Sequence, residues 1–477
     1  MSREWVVLTT LIAYKITLIG IGLWAQRRTH DNADYFLGAR QLGPLVAAIS
    51  YAASSSSAWS LLGVSGAAFS IGLGALWLLP GIVACHAVAW FWIAPRLRVA
   101  AASQGAITLT DVLTQGISGR ARALIVFVAS LIVLFCFLFY VAAQFQAAGN
   151  TFTANFNIDR FEAIAVGGAI VLFYTLLGGF WAVSVTDTLQ GLLMCIASVL
   201  LPVAALSAVG GPGALMEGLR QVSEPQQLSW GAGNAGMLGL GFALGMMLIG
   251  LGAFGQPQLL NRFMALRDEA ALRQGRVLAI VWFIIVLAGM LLLGLCGRVL
   301  MPGAENAESL FFAMTNDLFP ALIGGIITAA VLSAIMSTAD SQLLVAASTV
   351  AHDLGLAKKF PARALTISRL AMGMICLLSV LIAVELPASI FSRVLFAWNG
   401  LGAAFGPIVF ARMANRNIAP WAIISAMLTG FGLTALLYSL PNTPGDIAER
   451  LLPFAVTSVL VLVGSARRPN TPISSES

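Results

Sequence analysis

Ser333-Ala334-Ile335-Met336-Ser337-Thr338-Ala339-Asp340-Ser341 sits inside an apolar stretch running from about 320 to 350. Such a stretch exceeds the roughly 20 residues a helix needs to cross a bilayer. Ser333, Ser337, Asp340 and Ser341 recur at i, i+4, i+7 and i+8, so they share one helix face, with Thr338 beside them. An ionisable group at mid-bilayer costs about 2.5–3.5 kcal/mol on insertion scales and normally faces a partner or a watery path. A carboxylate among hydroxyls is also an all-oxygen environment suited to a hard cation. A hydroxyl-rich packing seam is the competing interpretation, but a seam has no need of the aspartate.

A second strip repeats the pattern. Ser184-Val185-Thr186-Asp187-Thr188 lies in the stretch 182–208, and among 20 carboxylates only Asp187 and Asp340 fall inside long apolar segments. The 477 residues are 59% hydrophobic and 10% charged, with mean hydropathy +0.91. Soluble chains carry about 25% charged residues, so this composition implies an all-α polytopic membrane protein. Thirteen apolar stretches are expected to span, at approximately 5–24, 44–71, 75–94, 122–148, 161–178, 182–208, 236–255, 275–297, 320–350, 365–384, 390–411, 418–438 and 450–465. Several contain Gly, Pro or Ser clusters, which point to tilted or broken helices.

Basic residues set the expected orientation. Nineteen fall in loops after odd-numbered spans or in the C-terminal segment, six lie on the opposite side, and Lys15 lies within the first span. That bias places the N-terminus outside and the C-terminus in the cytoplasm of a cell (inner) membrane protein. The +6 net charge is used up by this pattern and calls for no nucleic acid. The first apolar stretch lacks a cleavage site and its arginine pair follows the apolar run, so it reads as a retained span. No soluble domain is appended, and 471–477 reads as a disordered tail. The five cysteines lie within spans and read as small core residues. Of the three lysines, Lys15, Lys358 and Lys359, none follows a glycine, which excludes a nucleotide-binding P-loop and ATP-driven transport by this chain alone.

The second span carries Ala52-Ala53-Ser54-Ser55-Ser56-Ser57-Ala58-Trp59. Four consecutive serines compete for backbone hydrogen bonds and invite unwinding, while small residues also permit tight helix packing. Freed carbonyls of a broken helix are a usual means of holding a coupling cation. Opposed to the hydroxyls of the ninth span, they would make a five-oxygen cage.

Asp34-Tyr35-Phe36-Leu37-Gly38-Ala39-Arg40-Gln41-Leu42-Gly43, Leu177-Gly178-Gly179-Phe180-Trp181-Ala182-Val183-Ser184-Val185-Thr186-Asp187-Thr188 and Ser333–Thr338 resemble the sodium:solute symporters. Phe254-Gly255-Gln256-Pro257, Asn261-Arg262-Phe263-Met264 and Gly402-Ala403-Ala404-Phe405-Gly406-Pro407 are similar to that family's sodium/proline branch. The resemblance implies one transporter domain, 1–470, with a leucine-transporter-type core of inverted five-helix repeats at approximately 44–208 and 236–411. It implies a sodium site made by the carbonyls of Ala53, Ser56 and Ala334 and the hydroxyls of Ser337 and Thr338. A second cation site in some members uses the equivalents of Asp187, Ser337, Asp340 and Ser341, with serine at the Asp340 position. Substrate contacts are expected from Ser54, Ser55, Ser57, Trp59, Tyr140, Ile249, Ala253, Phe254 and Gln256. A carboxylate would rest on the exposed amides at the broken helix.

This chain departs from the proline branch in three places. Ser55 stands where that branch has an aspartate, and Ile249 and Ala253 replace a tryptophan and a tyrosine. The expected function is sodium-coupled import of a small organic solute, an amino acid such as proline, with another amino acid or a small carboxylate as the alternative. A proton-coupled carrier using Asp187, Asp340 or His86, and a non-transporting solute sensor, are the rivals. His86 reads as a relay or a hydrogen-bonded core residue, Lys15 has no nameable partner, Trp398-Asn399-Gly400 borders the path or packs, and the Arg262–Arg276 loop reads as a solvated cytoplasmic face.

Overall fold

The computed structural model describes residues 2–26, 37, 40–156, 158–177, 180–304, 306–360, 363–386 and 389–467. The motif residues Asp34–Phe36, Gly38, Ala39, Gly178 and Gly179, the Arg27–Arg28 pair, Arg468 and the tail 471–477 lie outside the described residues. In chain order the helices are α1 (Arg3–Gln26), α2 (Pro44–Ala58), α3 (Val64–Ile71), α4 (Leu78–Val88), α5 (Ala94–Gln104), α6 (Leu109–Leu113), α7 (Gly119–Asn155), α8 (Arg160–Leu177), α9 (Phe180–Val209) and α10 (Pro212–Val222). They continue as α11 (Gly236–Leu248), α12 (Pro257–Met264), α13 (Glu269–Leu300), α14 (Leu310–Leu318), α15 (Ala321–Ser348), α16 (Leu356–Lys359), α17 (Ala364–Glu385), α18 (Ile390–Met413), α19 (Pro420–Tyr438) and α20 (Ile447–Val463). Two three-residue strands, β1 (Arg416–Ile418) and β2 (Ser465–Arg467), pair antiparallel beside the last two helices.

Each of the thirteen apolar stretches falls on a helix, and ten described helical runs are long and apolar enough to cross a membrane. The longest, Pro44–Gln104, has 61 residues, about three times what a bilayer requires, and is broken at Gly72 (φ 78°). A residue with a Cβ could not stand there, because that atom would lie 2.1 Å from the Gln227 carbonyl oxygen.

Two breaks position the site. In α2 the helix fails at Ser57 (φ 43°, ψ −175°) and resumes through a widened turn, Trp59–Gly63, into α3. A non-glycine residue there costs on the order of 1–3 kcal/mol and persists only when its surroundings impose it. The second break lies five spans later, where α11 tightens into a 3-10 segment at Ile249–Gly255 and opens at Gln256 (φ −81°, ψ 109°) before α12. Interrupted helices at corresponding places in two halves are the mark of an inverted-repeat transporter core. α15 and α18 sit deepest: 78% and 89% of their spanning windows are buried, against 17% for α1. Gly402 lets α18 approach the second break closely, since a Cβ on it would meet Gly252 Cα at 2.5 Å.

The basic residues separate to the two ends. At one end Arg40 donates to the carbonyls of Met264, Ala101 and Ala106, Arg122 pairs with Asp111, and Arg412 donates to Leu113. At the other, Arg3 reaches Asn316, Arg298 reaches Phe69, and Arg393 binds Gln146. Arg262 is the exception to the solvated face expected for its loop. It is 2% exposed, because α12 turns it inward against α2, α9 and α15.

Candidate functional site

The break in α2 frees backbone oxygens, and α15 brings hydroxyls to them. Ser337 Oγ lies 3.3 Å from both the Ala53 and Ala334 carbonyl oxygens, and Thr338 Oγ1 lies 3.2 Å from the Ser54 carbonyl. A hard cation holding oxygens at about 2.3–2.6 Å, as calcium does, sets ligands at right angles roughly 3.3–3.7 Å apart. The two separations from Ser337 Oγ, to the Ala53 and the Ala334 carbonyl oxygens, fall in that range, which is also that of a long hydrogen bond. The Ser56 carbonyl accepts from the Trp59 amide, so a cation would compete with one backbone hydrogen bond.

Beside this cluster lies a fully buried polar network. Arg262 Nη2 donates to Asp187 Oδ2 at 2.7 Å and to Ser341 Oγ at 2.6 Å, Nε donates to Ser50 Oγ at 2.8 Å, and Nη1 donates to the Gln258 carbonyl at 2.6 Å. Ser50 and Ser54 hydroxyls donate to the same Asp187 oxygen. Asp340 joins through Ser341, 3.5 Å from its Oδ1, and among the described residues its Oδ2 has no partner. Asp187 and Asp340 thus belong to one network, with the Arg262 guanidinium as the positive charge in it. That role was not legible in the sequence, where Arg262 reads as one of a row of loop arginines.

α1 docks on the same face of α15. The Tyr14 hydroxyl bonds Ser333 and the Lys15 ammonium contacts Met336 Sδ, within the electrostatic reach of Asp340. Lys15 therefore has partners on α15.

Two cavities flank the break. A central one of about 20 Å³, room for about one water and so nearly closed in this arrangement, is lined by Ser55, Ser56, Trp59, Tyr140 and Ile249. His86, Phe283, Leu287 and Trp398 complete much of its wall. A wider vestibule of about 900 Å³ opens at the end bearing Arg160, Asn306 and Glu308. Between them Trp59 stacks on Phe391 at 5.6 Å, beneath Gly63.

The other expected substrate contacts face elsewhere. The Ser54 hydroxyl is engaged by Asp187 and Ser341. Phe254 packs edge-on to Phe410 at 4.8 Å. Gln256 ties the Gly252 and Trp398 carbonyls, and buried Ala253 lies outside the cavity wall. Ser57 receives the Trp59 amide and interacts with the Tyr140 hydroxyl. The amides of the broken helix are not open either: Ala58 N–H donates to Gln144 Oε1 at 3.1 Å. Trp398 borders the cavity and donates to the Ile249 carbonyl at 2.8 Å, joining α18 to the second break.

The arrangement has clear relatives. Residues 35–430 match the model of the sodium:solute symporter family. The osmoregulated proline transporter OpuE of Bacillus subtilis (strain 168) is 34% identical over 433 residues, covering 89% of this chain and 87% of that protein. A sodium/proline symporter of Staphylococcus aureus (strain JH9) is 33% identical over 442 residues, covering 90% and 85%. Among solved structures, the substrate-bound outward-open state of a Na+-coupled sialic acid symporter superimposes with TM-score 0.80 at 15% identity, covering 98% of this chain and 100% of that one. MhsT in complex with L-phenylalanine gives 0.55 at 14% identity, covering 89% and 98%. Two helices broken in step, a hydroxyl-bearing helix across the first break and a family match over most of the length agree: the chain belongs to the sodium:solute symporter family and has its leucine-transporter-type fold.

Proposed function

We propose that one sodium ion and one small carboxylate-bearing solute, an amino acid such as proline or a small carboxylate, travel inward together through the central cavity. The observation that carries this reading is the meeting of the Ala53 and Ser54 carbonyls with the Ser337 and Thr338 hydroxyls. A cation held by Ala53, Ser56, Ala334, Ser337 and Thr338 would bridge α2 and α15 and favour the arrangement in which the cavity is formed. Coupling is then linkage between ion, solute and conformation. The relatives that transport proline support a solute of that size. The guanidinium between Asp187 and Ser341 stands in for a second cation, which supports a single sodium per cycle. We place the vestibule outside and the denser basic end in the cytoplasm of the cell membrane, by the bias of loop arginines. The repeats run at approximately 44–208 and 236–411.

The test is uptake into proteoliposomes under an inward sodium gradient, against a panel of amino acids and carboxylates. Accumulation that vanishes without sodium supports the reading. Equal uptake with sodium or with a proton gradient alone would overturn it.

A further inference from the structure

His86 is 1% exposed and forms part of the central cavity wall, yet nothing in the sodium cluster uses it. Its ring is fixed twice. It lies flat on Phe283, centroids 3.9 Å apart and planes at 12°, and its Nδ1 is 3.0 Å from the Tyr51 hydroxyl. Tyr51 is wholly buried among Trp90, Phe263 and Phe283. Among the described residues its hydroxyl has no other hydrogen-bond partner. A buried hydroxyl proton left without an acceptor is costly, so Tyr51 donates to Nδ1. The neutral ring must then carry its hydrogen on Nε2, and a charged ring carries one there as well. Either way Nε2 is a donor, and among the described residues it has no protein acceptor.

The rest of the wall points to the same kind of ligand. Trp59 contributes a second N–H donor, a buried Nε1 that has no partner among the described residues. Ile82, Ile249, Leu287, Val394 and Leu395 supply apolar surface. No aspartate or glutamate lines the cavity, and Ser55 spends its proton on the Ala52 carbonyl at 2.9 Å. A substrate ammonium would therefore be buried without a counter-charge, which is expensive. A carboxylate would find donors, and its charge would lie beside the cation cluster, since Ser56 belongs to both.

We infer that His86 is a substrate-contacting hydrogen-bond donor and that the preferred substrate is a small monocarboxylate with a short apolar body and no ammonium group. This rests on the symport reading above and narrows it. The experiment uses the full chain in proteoliposomes, with radiolabelled propionate, lactate and proline at equal concentration under an inward sodium gradient. The expected result is sodium-dependent accumulation of propionate or lactate at least about 10-fold above proline, whose ammonium would be buried without a counter-charge. Proline exceeding both carboxylates would overturn the inference while leaving symport intact. Absence of sodium dependence across the panel would instead defeat symport itself. His86→Leu should raise the KM for the carboxylate about 10- to 100-fold, and His86→Gln, which restores an N–H donor, should recover most of it. Should His86→Leu fail to fold, Ser55→Asp decides the matter: it should move preference toward proline, and an unchanged preference would count against the inference. A His86→Leu protein with the parental KM would also refute it.

Discussion

Replacing Arg262 by Gln should expose how far one ion pair holds the centre together. The substitution removes the guanidinium that donates to Asp187, Ser341, Ser50 and the Gln258 carbonyl. Asp187 would remain fully buried, keeping only the hydroxyls of Ser50 and Ser54. Breaking a buried pair by removing one partner costs about 3–5 kcal/mol, most of it from the stranded charge. An unfolding entropy of about 2.1 cal/mol/K per residue across 477 residues amounts to about 1 kcal/mol/K. The Arg262→Gln protein should therefore melt about 3–5 °C lower. Asp187→Asn combined with Arg262→Gln strands no charge and should recover at least half of that loss. Thermal unfolding of the two single variants, the double variant and the parent in detergent gives the coupling directly. If Arg262→Gln melts within about 1 °C of the parent, or if the double variant falls by the sum of the singles, the pair is not the stabilising unit described.

Three further outcomes are expected. Ser337→Ala with Thr338→Ala should raise the sodium concentration for half-maximal uptake at least about 10-fold, since each oxygen facing a charge is worth about 1.5–3 kcal/mol, and an unchanged sodium dependence would remove them as ligands. Gly252→Ala places a Cβ 1.9 Å from Trp398 Cδ1, so it should push the indole from the Ile249 carbonyl and abolish uptake; parental uptake rates would refute that packing. Burial raises the Asp111 carboxyl, but the hydrogen bond and charge of His352 and the amides of Ile107 and Thr108 outweigh it and hold the group at about 2. Its depressed value contributes stability above about pH 4 that is lost as pH falls toward 2, so Asp111→Asn should lower the melting temperature at pH 7 by about 1–2 °C and by clearly less near pH 2. A shift that grows on acidification would reverse the sign.

The sequence was most readable where chemistry repeats along one element. The i, i+4, i+7, i+8 spacing placed Ser333, Ser337, Asp340 and Ser341 on one face, and all four are buried there. The serine run marked the break, because local competition for backbone hydrogen bonds acts within a few residues. Partners across elements were not readable. Arg262 and Asp187 are 75 positions apart, and nothing local says that α12 turns inward at Gln256. Lys15 and Met336 present the same problem at greater separation. Substrate contacts split because the helix before Ser57 rotates successive side chains by about 100°, so Ser54 faces Asp187 while Ser55 and Ser56 face the cavity. His86 was visible only as a lone titratable residue, since its orientation depends on Tyr51 from another helix.

The size of the vestibule sets how the transporter meets its solute. At about 30 Å³ per water, a space of about 900 Å³ holds roughly 30 waters, so one dissolved molecule inside it corresponds to about 2 M. With micromolar solute in the surrounding solution, the vestibule would contain a molecule only about one part in two million of the time unless something attracts it. Its wall carries Arg160 and Glu308, whose opposite charges offer little net pull on an anion or a cation. If the solute binds beneath the Trp59–Phe391 stack, as proposed above, scavenging from dilute surroundings falls to the duration of each stay there, so slow escape, rather than frequent arrival, sets the lowest concentration at which the protein can feed its cell.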